Sequence, residues 1–134
     1  MNVTADANVL IRSLLEDHPV QTMAAKAVLV GAARIAIPLP ALCEFVWVLS
    51  RSYKMRPANI KTALQNLLNN PKIDVDTAAV EAGLAMLDAG GGFAGGVIAF
   101  DGRRLGGDVF TTFDRKAARL IQASGGTVNL LDAT

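Results

Sequence analysis

Apolar residues at Leu10, Ile11, Leu14 and Leu15 recur as i, i+1, i+4 and i+5, the stripe of an amphipathic helix, and predict one over residues 7–16. Before it, Asn2 to Ala5 are small and β-branched and read as a strand ending at Asp6. Pro19 opens a second helix that carries Met23, Ala27, Val28 and Val30 and stops near Gly31. Residues 34–38 read as a buried strand, and Pro40 as the first residue of a long apolar helix reaching about Tyr53. Pro57 starts a further amphipathic helix through Leu64, Leu67 and Leu68, which Asn69-Asn70-Pro71 ends. The rest of the chain predicts a strand at 73–75, a helix at 78–88, three consecutive glycines, a helix at 94–105, a strand at 109–113, a helix at 114–124 and a strand at 127–130. Strands that alternate with one or more helices imply a mostly parallel sheet covered on both faces. No internal repeat or linker interrupts the pattern.

Length turns that pattern into one domain over residues 1–134, with 51% hydrophobic and 19% charged positions, enough for a single well-covered core. The formal net charge is +1, so no strong overall field draws the molecule to nucleic acid or a membrane surface, and any such contact must come from local patches. The longest charge-free stretches, 89–100 and 120–131, are too short for a membrane span, which needs about 18 apolar residues. A lone Cys43 and an N-terminus without a secretory pattern lead to the expectation of a cytoplasmic protein.

Parallel α/β sheets bind ligands beyond the carboxyl ends of their strands. Asp6 and Asp114 fall at such ends, where each could also serve simply as a helix N-cap. Glu44 is the only charge between Arg34 and Arg51, in a helix that is apolar nearly all round, so burial is expected. Its alternatives are an ion pair with Arg51 two turns along, or a place in a cleft with Asp6 and Asp114. Converging carboxylates repel one another unless a cation lies among them, and hard oxygen ligands without His or Cys favour Mg2+ or Mn2+. Among the basic residues, Arg12 and Arg115 lie nearest these acids in sequence and are the chosen candidates for contacts to an anionic ligand such as phosphate; most of the others suit solvated helix faces. His18 reads as a surface turn residue, Cys43 as a small core residue, and the glycines at 90–96 lack the Gly-Lys-Ser/Thr ending of a P-loop.

Residues 5–12 (Ala-Asp-Ala-Asn-Val-Leu-Ile-Arg), 42–49 (Leu-Cys-Glu-Phe-Val-Trp-Val-Leu) and 110–116 (Phe-Thr-Thr-Phe-Asp-Arg-Lys) together resemble the PIN-domain ribonucleases, most of all the VapC-type toxins of bacterial toxin–antitoxin pairs. The resemblance implies a three-layer α/β/α sandwich around a mostly parallel sheet of four to five strands. It also implies Mg2+- or Mn2+-dependent endonucleolytic cleavage of an RNA substrate, a cognate antitoxin and a homodimer. Carried over by position, it makes Asp6, Glu44 and Asp114 the catalytic, metal-holding acids, with Asn8 and Thr112 in support. One departure stands out: Phe93-Ala94 is followed by Gly95, where the family usually carries a further Asp. Asp101 points away from that face and Asp108 suits a surface turn, so neither replaces it. The alternative is a catalytically dead PIN-like module that only binds RNA or protein. A phosphorylated receiver domain ranks lower, since its acidic pair and late lysine are missing.

Overall fold

The computed structural model describes residues 1–132. In chain order the elements are β1 (Asn2–Thr4), α1 (Ala7–Leu14), α2 (Pro19–Gly31), β2 (Arg34–Ala36), α3 (Leu39–Arg51), α4 (Pro57–Leu68), β3 (Ile73–Asp74), α5 (Thr77–Asp88), α6 (Phe93–Arg104), β4 (Val109–Thr112), α7 (Arg115–Ala123) and β5 (Thr127–Leu130). They gather into two compact units, one over Met1–Asp76 and the other beginning at Thr77.

In the first unit, β1, β2 and β3 lie side by side in that order and all parallel, with Val3 opposite Ile35 and Ile35 opposite Ile73. α1 packs on α2 and α3, and α3 on α4. The core between them is Leu10, Ile35, Leu42, Phe45, Leu49, Ile60 and Leu64, all essentially closed to solvent. At the sheet's edge Arg34 binds Asp74 through Nε, 3.0 Å from Oδ2, and through Nη2, while Nη1 donates to the Pro71 carbonyl at 3.1 Å. The hydrogen bond from Arg34 holds the Asp74 carboxyl below its usual range. Such a group stabilises the fold above the ordinary carboxylate range and loses that contribution as pH falls through its lowered value. Both partners are half exposed, which keeps the contribution small.

In the second unit, β4 and β5 form a two-stranded parallel sheet over Val109–Thr112 and Thr127–Leu130, with α7 packed on both strands. α5 and α6 approach so closely that small residues are required between them. A Cβ on Gly96 would stand 2.5 Å from the Ala82 carbonyl oxygen, and one on Gly83 2.6 Å from the Phe93 ring.

The five parallel strands and their order along the chain agree with the sequence, but the expected single sheet of four to five strands is corrected to sheets of three and two. With two to four residues each, these strands make few ladder bonds, and hydrophobic period alone carries no information on which edges meet. The strand ends are trimmed as well. β1 stops at Thr4 because Asp6 already caps a helix, and β2 stops at Ala36, ahead of Pro38, which has no N–H to give. Helix α3 begins at Leu39, making Pro40 its second residue rather than its first. No helix among the described residues is long and apolar enough to cross a membrane.

Two expected outcomes follow from this packing. Gly96→Ala should cost about 1–3 kcal/mol in denaturant unfolding, the usual range for overpacking. Its neighbour Gly95 meets only the tip of Met86, at 3.8 Å, so Gly95→Ala should instead gain roughly 0.5–1 kcal/mol from helix propensity. Separately, Asp74→Asn should lower Tm slightly at neutral pH and flatten the acid side of a Tm–pH profile.

Candidate functional site

Asp6 occupies the turn from β1 into α1. The Ala5 N–H still bonds to the Ala36 carbonyl at 3.0 Å, in register with the ladder, and the chain then turns into the helix. Asp6 keeps an extended backbone, φ −85° and ψ 174°, and its Oδ1 accepts the Val9 N–H at 3.0 Å. It is therefore an N-cap, and its second carboxylate oxygen accepts no hydrogen bond among the described residues. Asp6, Asn8 and Arg12 line an open groove of about 300 Å³ between α1 and α2, whose floor and far wall include Val9, Ala25 and Val28.

Arg12 has a partner of its own. Its Nη1 donates to Asp17 at 3.1 Å and to the Tyr53 hydroxyl at 3.3 Å, and that hydroxyl donates to the other Asp17 oxygen at 3.0 Å. The Arg12 Nε is buried and has no hydrogen-bond partner among the described residues. This residue, expected to touch phosphate, thus ties α1 to the turn after it and to the chain just past α3.

Glu44 corrects a clear expectation of burial: it is exposed. In α3 the buried stripe is Leu42, Phe45, Val46 and Leu49, spaced i, i+3, i+4 and i+7. Glu44, Trp47 and Arg51 share the opposite, solvent side. Trp47, apolar but 59% exposed, is what made the helix read as apolar nearly all round. Among the described residues Glu44 makes no ion pair with Arg51 or any other cation. Parallel β1 and β2 end at the same edge of the sheet, so the start of α1 with Asp6 and the start of α3 five residues before Glu44 rise from that edge.

In the second unit, β4 runs into Asp114 as β1 runs into Asp6. The Asp114 N–H donates to Thr112 Oγ1 at 3.0 Å, and Asp114 Oδ1 accepts the Ala117 N–H at 3.0 Å as the N-cap of α7. Phe113, Arg115 and Lys116 beside it are all exposed, Phe113 by 62%. Gly95 is the third residue of α6, whose N-cap is Gly92. Asp101 is engaged by Arg104, and Asp108 is exposed ahead of β4.

The donor chemistry suits a hard divalent cation. His18 spends Nδ1 as the cap of α2, accepting the Gln21 N–H at 3.4 Å, and partial burial pushes the Cys43 thiol up, away from the thiolate a soft metal needs. What remains is carboxylate oxygen. The number of donors falls short, however: among the described residues no group of three or more His, Cys, Asp or Glu side chains gathers where it could hold an ion.

Sequence reasoning singled out neither Trp47 nor Phe113, the exposed aromatics next to Glu44 and Asp114 along the chain. Their signal was available in the spacing, since Trp47 lies one turn from Glu44 and Phe113 adjoins Asp114.

A family profile described as PIN domain matches residues 3–122, a span that takes in both units. No curated protein matches the chain.

The caps and the exposed glutamate differ in what their loss should do to the fold. Asp6→Ala should cost about 1 kcal/mol, the usual value of an N-cap, and Asp6→Asn should restore most of it because the amide oxygen still accepts. Glu44→Gln should stay within about 0.5 kcal/mol, as a surface change does. Urea unfolding of the three variants checks this; a large loss for Glu44→Gln would reveal an ion pair to Arg51.

Proposed function

The chain belongs to the PIN-domain family, a nuclease fold, and we propose that it is a metal-dependent endoribonuclease, the toxin of a toxin–antitoxin pair, with Asp6, Glu44 and Asp114 as its acidic residues. The observation that carries this is the pair of aspartates. Asp6 and Asp114 each follow a parallel strand, each fix a helix start with one oxygen, and each keep the other oxygen available. Those are the places where α/β sheets present ligands.

By their positions in the family pattern Asp6, Glu44 and Asp114 would be the residues that hold Mg2+ or Mn2+, and each has an exposed carboxylate. When bound, such an ion acidifies a water and stabilises charge on the phosphoryl and leaving oxygens. Asn8 lies two residues beyond Asp6 at the mouth of the α1–α2 groove, where its amide can position a substrate phosphate. Thr112 fixes the backbone that carries Asp114. Arg115, exposed at the start of α7, supplies a phosphate contact. Arg12 braces the α1 that carries Asp6 and Asn8. RNA as substrate and a single cysteine favour a cytoplasmic protein.

Exposed apolar residues on α2 support the partner reading. Val20, Met23 and Val30 are 76%, 74% and 75% exposed, a patch that suits an apolar partner helix. We assign it to the antitoxin and to a second copy of the chain, together with α4. An Arg or Lys of the antitoxin would pair with the acids and compete with the metal. Recovery of a complex with the product of the adjacent gene tests the partner.

Gly95 favours a second reading, a PIN module that binds RNA without cutting it. No steric reason demands glycine there, as the nearest atom to an added Cβ is the Met86 methyl at 3.8 Å. An Asp at this third helical position meets no close contact and benefits from the unpaired N–H groups of the first turn. Gly95→Asp should therefore fold normally and raise single-turnover RNA cleavage in Mg2+ or Mn2+ by at least about tenfold, or roughly 1.4 kcal/mol. Asp6→Ala in the Gly95→Asp background should abolish the gain. Equal activity of Gly95→Asp and the parent would remove Gly95 from the site; activity surviving Asp6→Ala would remove Asp6.

A further inference from the structure

We infer that the exposed side of α3 and the turn after it form a single-stranded RNA platform, in which Trp47 stacks on a base beside the phosphate that Glu44 approaches, and Arg51, Lys54 and Arg56 hold the flanking phosphates. The inference rests on the nuclease function proposed above and adds how the substrate is gripped.

Trp47 carries the first part. An indole that is 59% exposed leaves a broad apolar face in water, and nothing in the packing of α3 requires it there, because Leu42, Phe45, Val46 and Leu49 already fill the buried stripe. It lies one turn from Glu44 and one turn from Arg51, neighbours whose Cβ atoms stand roughly 5–6 Å apart on a helix. Carboxylate, aromatic and guanidinium thus follow one another along a single face.

The cations carry the second part. Arg51, Lys54 and Arg56 are all exposed, and among the described residues none forms an ion pair. Three uncompensated positive charges within six residues repel one another and gain from an anionic partner with regularly spaced charges. Lys54 also holds φ at +54°, the left-handed region that a glycine would occupy without strain. The turn is nevertheless well braced: the Met55 N–H bonds to the Leu49 carbonyl at 3.0 Å, and the Tyr53 hydroxyl bonds to Asp17 at 3.0 Å. A lysine thus stands where the backbone favours glycine, and a phosphate contact supplies a reason for it.

Stacking on an aromatic face is available to any unpaired base and closed to a base inside a duplex, so the occupant is single-stranded RNA. A second protein chain could also cover Trp47, but it would leave the three cations without a role.

Trp47 is the only tryptophan in the chain, so its emission reports directly on this face. The test titrates the full chain with a 2′-O-methyl oligoribonucleotide, single-stranded or as a duplex, in EDTA so that no cleavage occurs, and follows both Trp47 fluorescence and the anisotropy of the labelled RNA. Saturable quenching by the single strand and much less by the duplex is expected. Trp47→Ala should weaken binding by about tenfold or more, the usual effect of losing one base stack, and Trp47→Phe should recover most of it. Lys54→Gly should keep or raise Tm while lowering the salt slope of log K by about 0.7, one phosphate on a single strand. Binding seen by anisotropy with unchanged Trp47 emission, or equal affinity of Trp47→Ala, overturns the platform and leaves the nuclease function standing. Trp47 emission that shifts with protein concentration in the absence of RNA assigns the face to a second copy and overturns it too. No RNA binding at all overturns both, whereas binding with quenching but no cleavage by Gly95→Asp keeps the platform and removes the nuclease.

Discussion

A helix that begins directly after a parallel strand must find acceptors for its first free N–H groups, and that requirement organises both units. β1 leads to α1 through Asp6, and β4 leads to α7 through Asp114. In each case a carboxylate accepts the N–H three residues on, at 3.0 Å. A serine or asparagine would cap as well. Aspartate differs in leaving a charged oxygen beyond the strand end, so one side chain starts the helix and also places negative charge where α/β folds present their ligands. The cap and the proposed metal-holding role of these residues need not compete, because they use different oxygens.

The elements most legible in the sequence were those with punctuation of their own. α2 and α4 start at Pro19 and Pro57, as the sequence predicts, because proline is favoured in the first helical turn and disfavoured further in. β5 runs over Thr127–Leu130, also as predicted. Strand pairing was not legible, since period-2 patterning says which face is buried and nothing of which edges meet. Asp6 and Asp114 were legible as strand-end acids, and the cap that each forms had been the competing expectation. Glu44 was misjudged because apolar content is a poor guide when one large apolar residue is exposed: with Trp47 on the solvent side, α3 is an ordinary amphipathic helix and its glutamate is in water.

The glycines of α6 show the same divide between local and tertiary causes. Propensity treats Gly95 and Gly96 alike, as costly residues in a helix. Only the position of the Ala82 carbonyl, 2.5 Å from where a Gly96 Cβ would lie, separates them. Gly96 and Gly83 let α5 and α6 approach closely enough to exclude solvent, and that contact offsets their propensity cost. Gly95 has no such compensation. A residue that weakens a helix where no close contact demands a glycine is the kind of local inconsistency that functional or altered positions show.

Helix α3 brings these threads together because its two sides obey different constraints. One side is fixed by the core, and its closed stripe leaves little freedom of rotation or slide. The other side inherits that rigidity without contributing to it. Past its end, Asp17 binds both Arg12 of α1 and Tyr53, so the turn holding Lys54 is fastened to the same helix whose first turn Asp6 caps. A polar network therefore links the C-terminal end of α1, the end opposite Asp6, to the turn after α3. Among the described residues its buried Arg12 Nε has no hydrogen-bond partner, a local cost within an otherwise satisfied network. The helix that Asp6 caps at one end is thus braced at its other end against the turn that holds Lys54, which fixes the spacing that the proposed site would use.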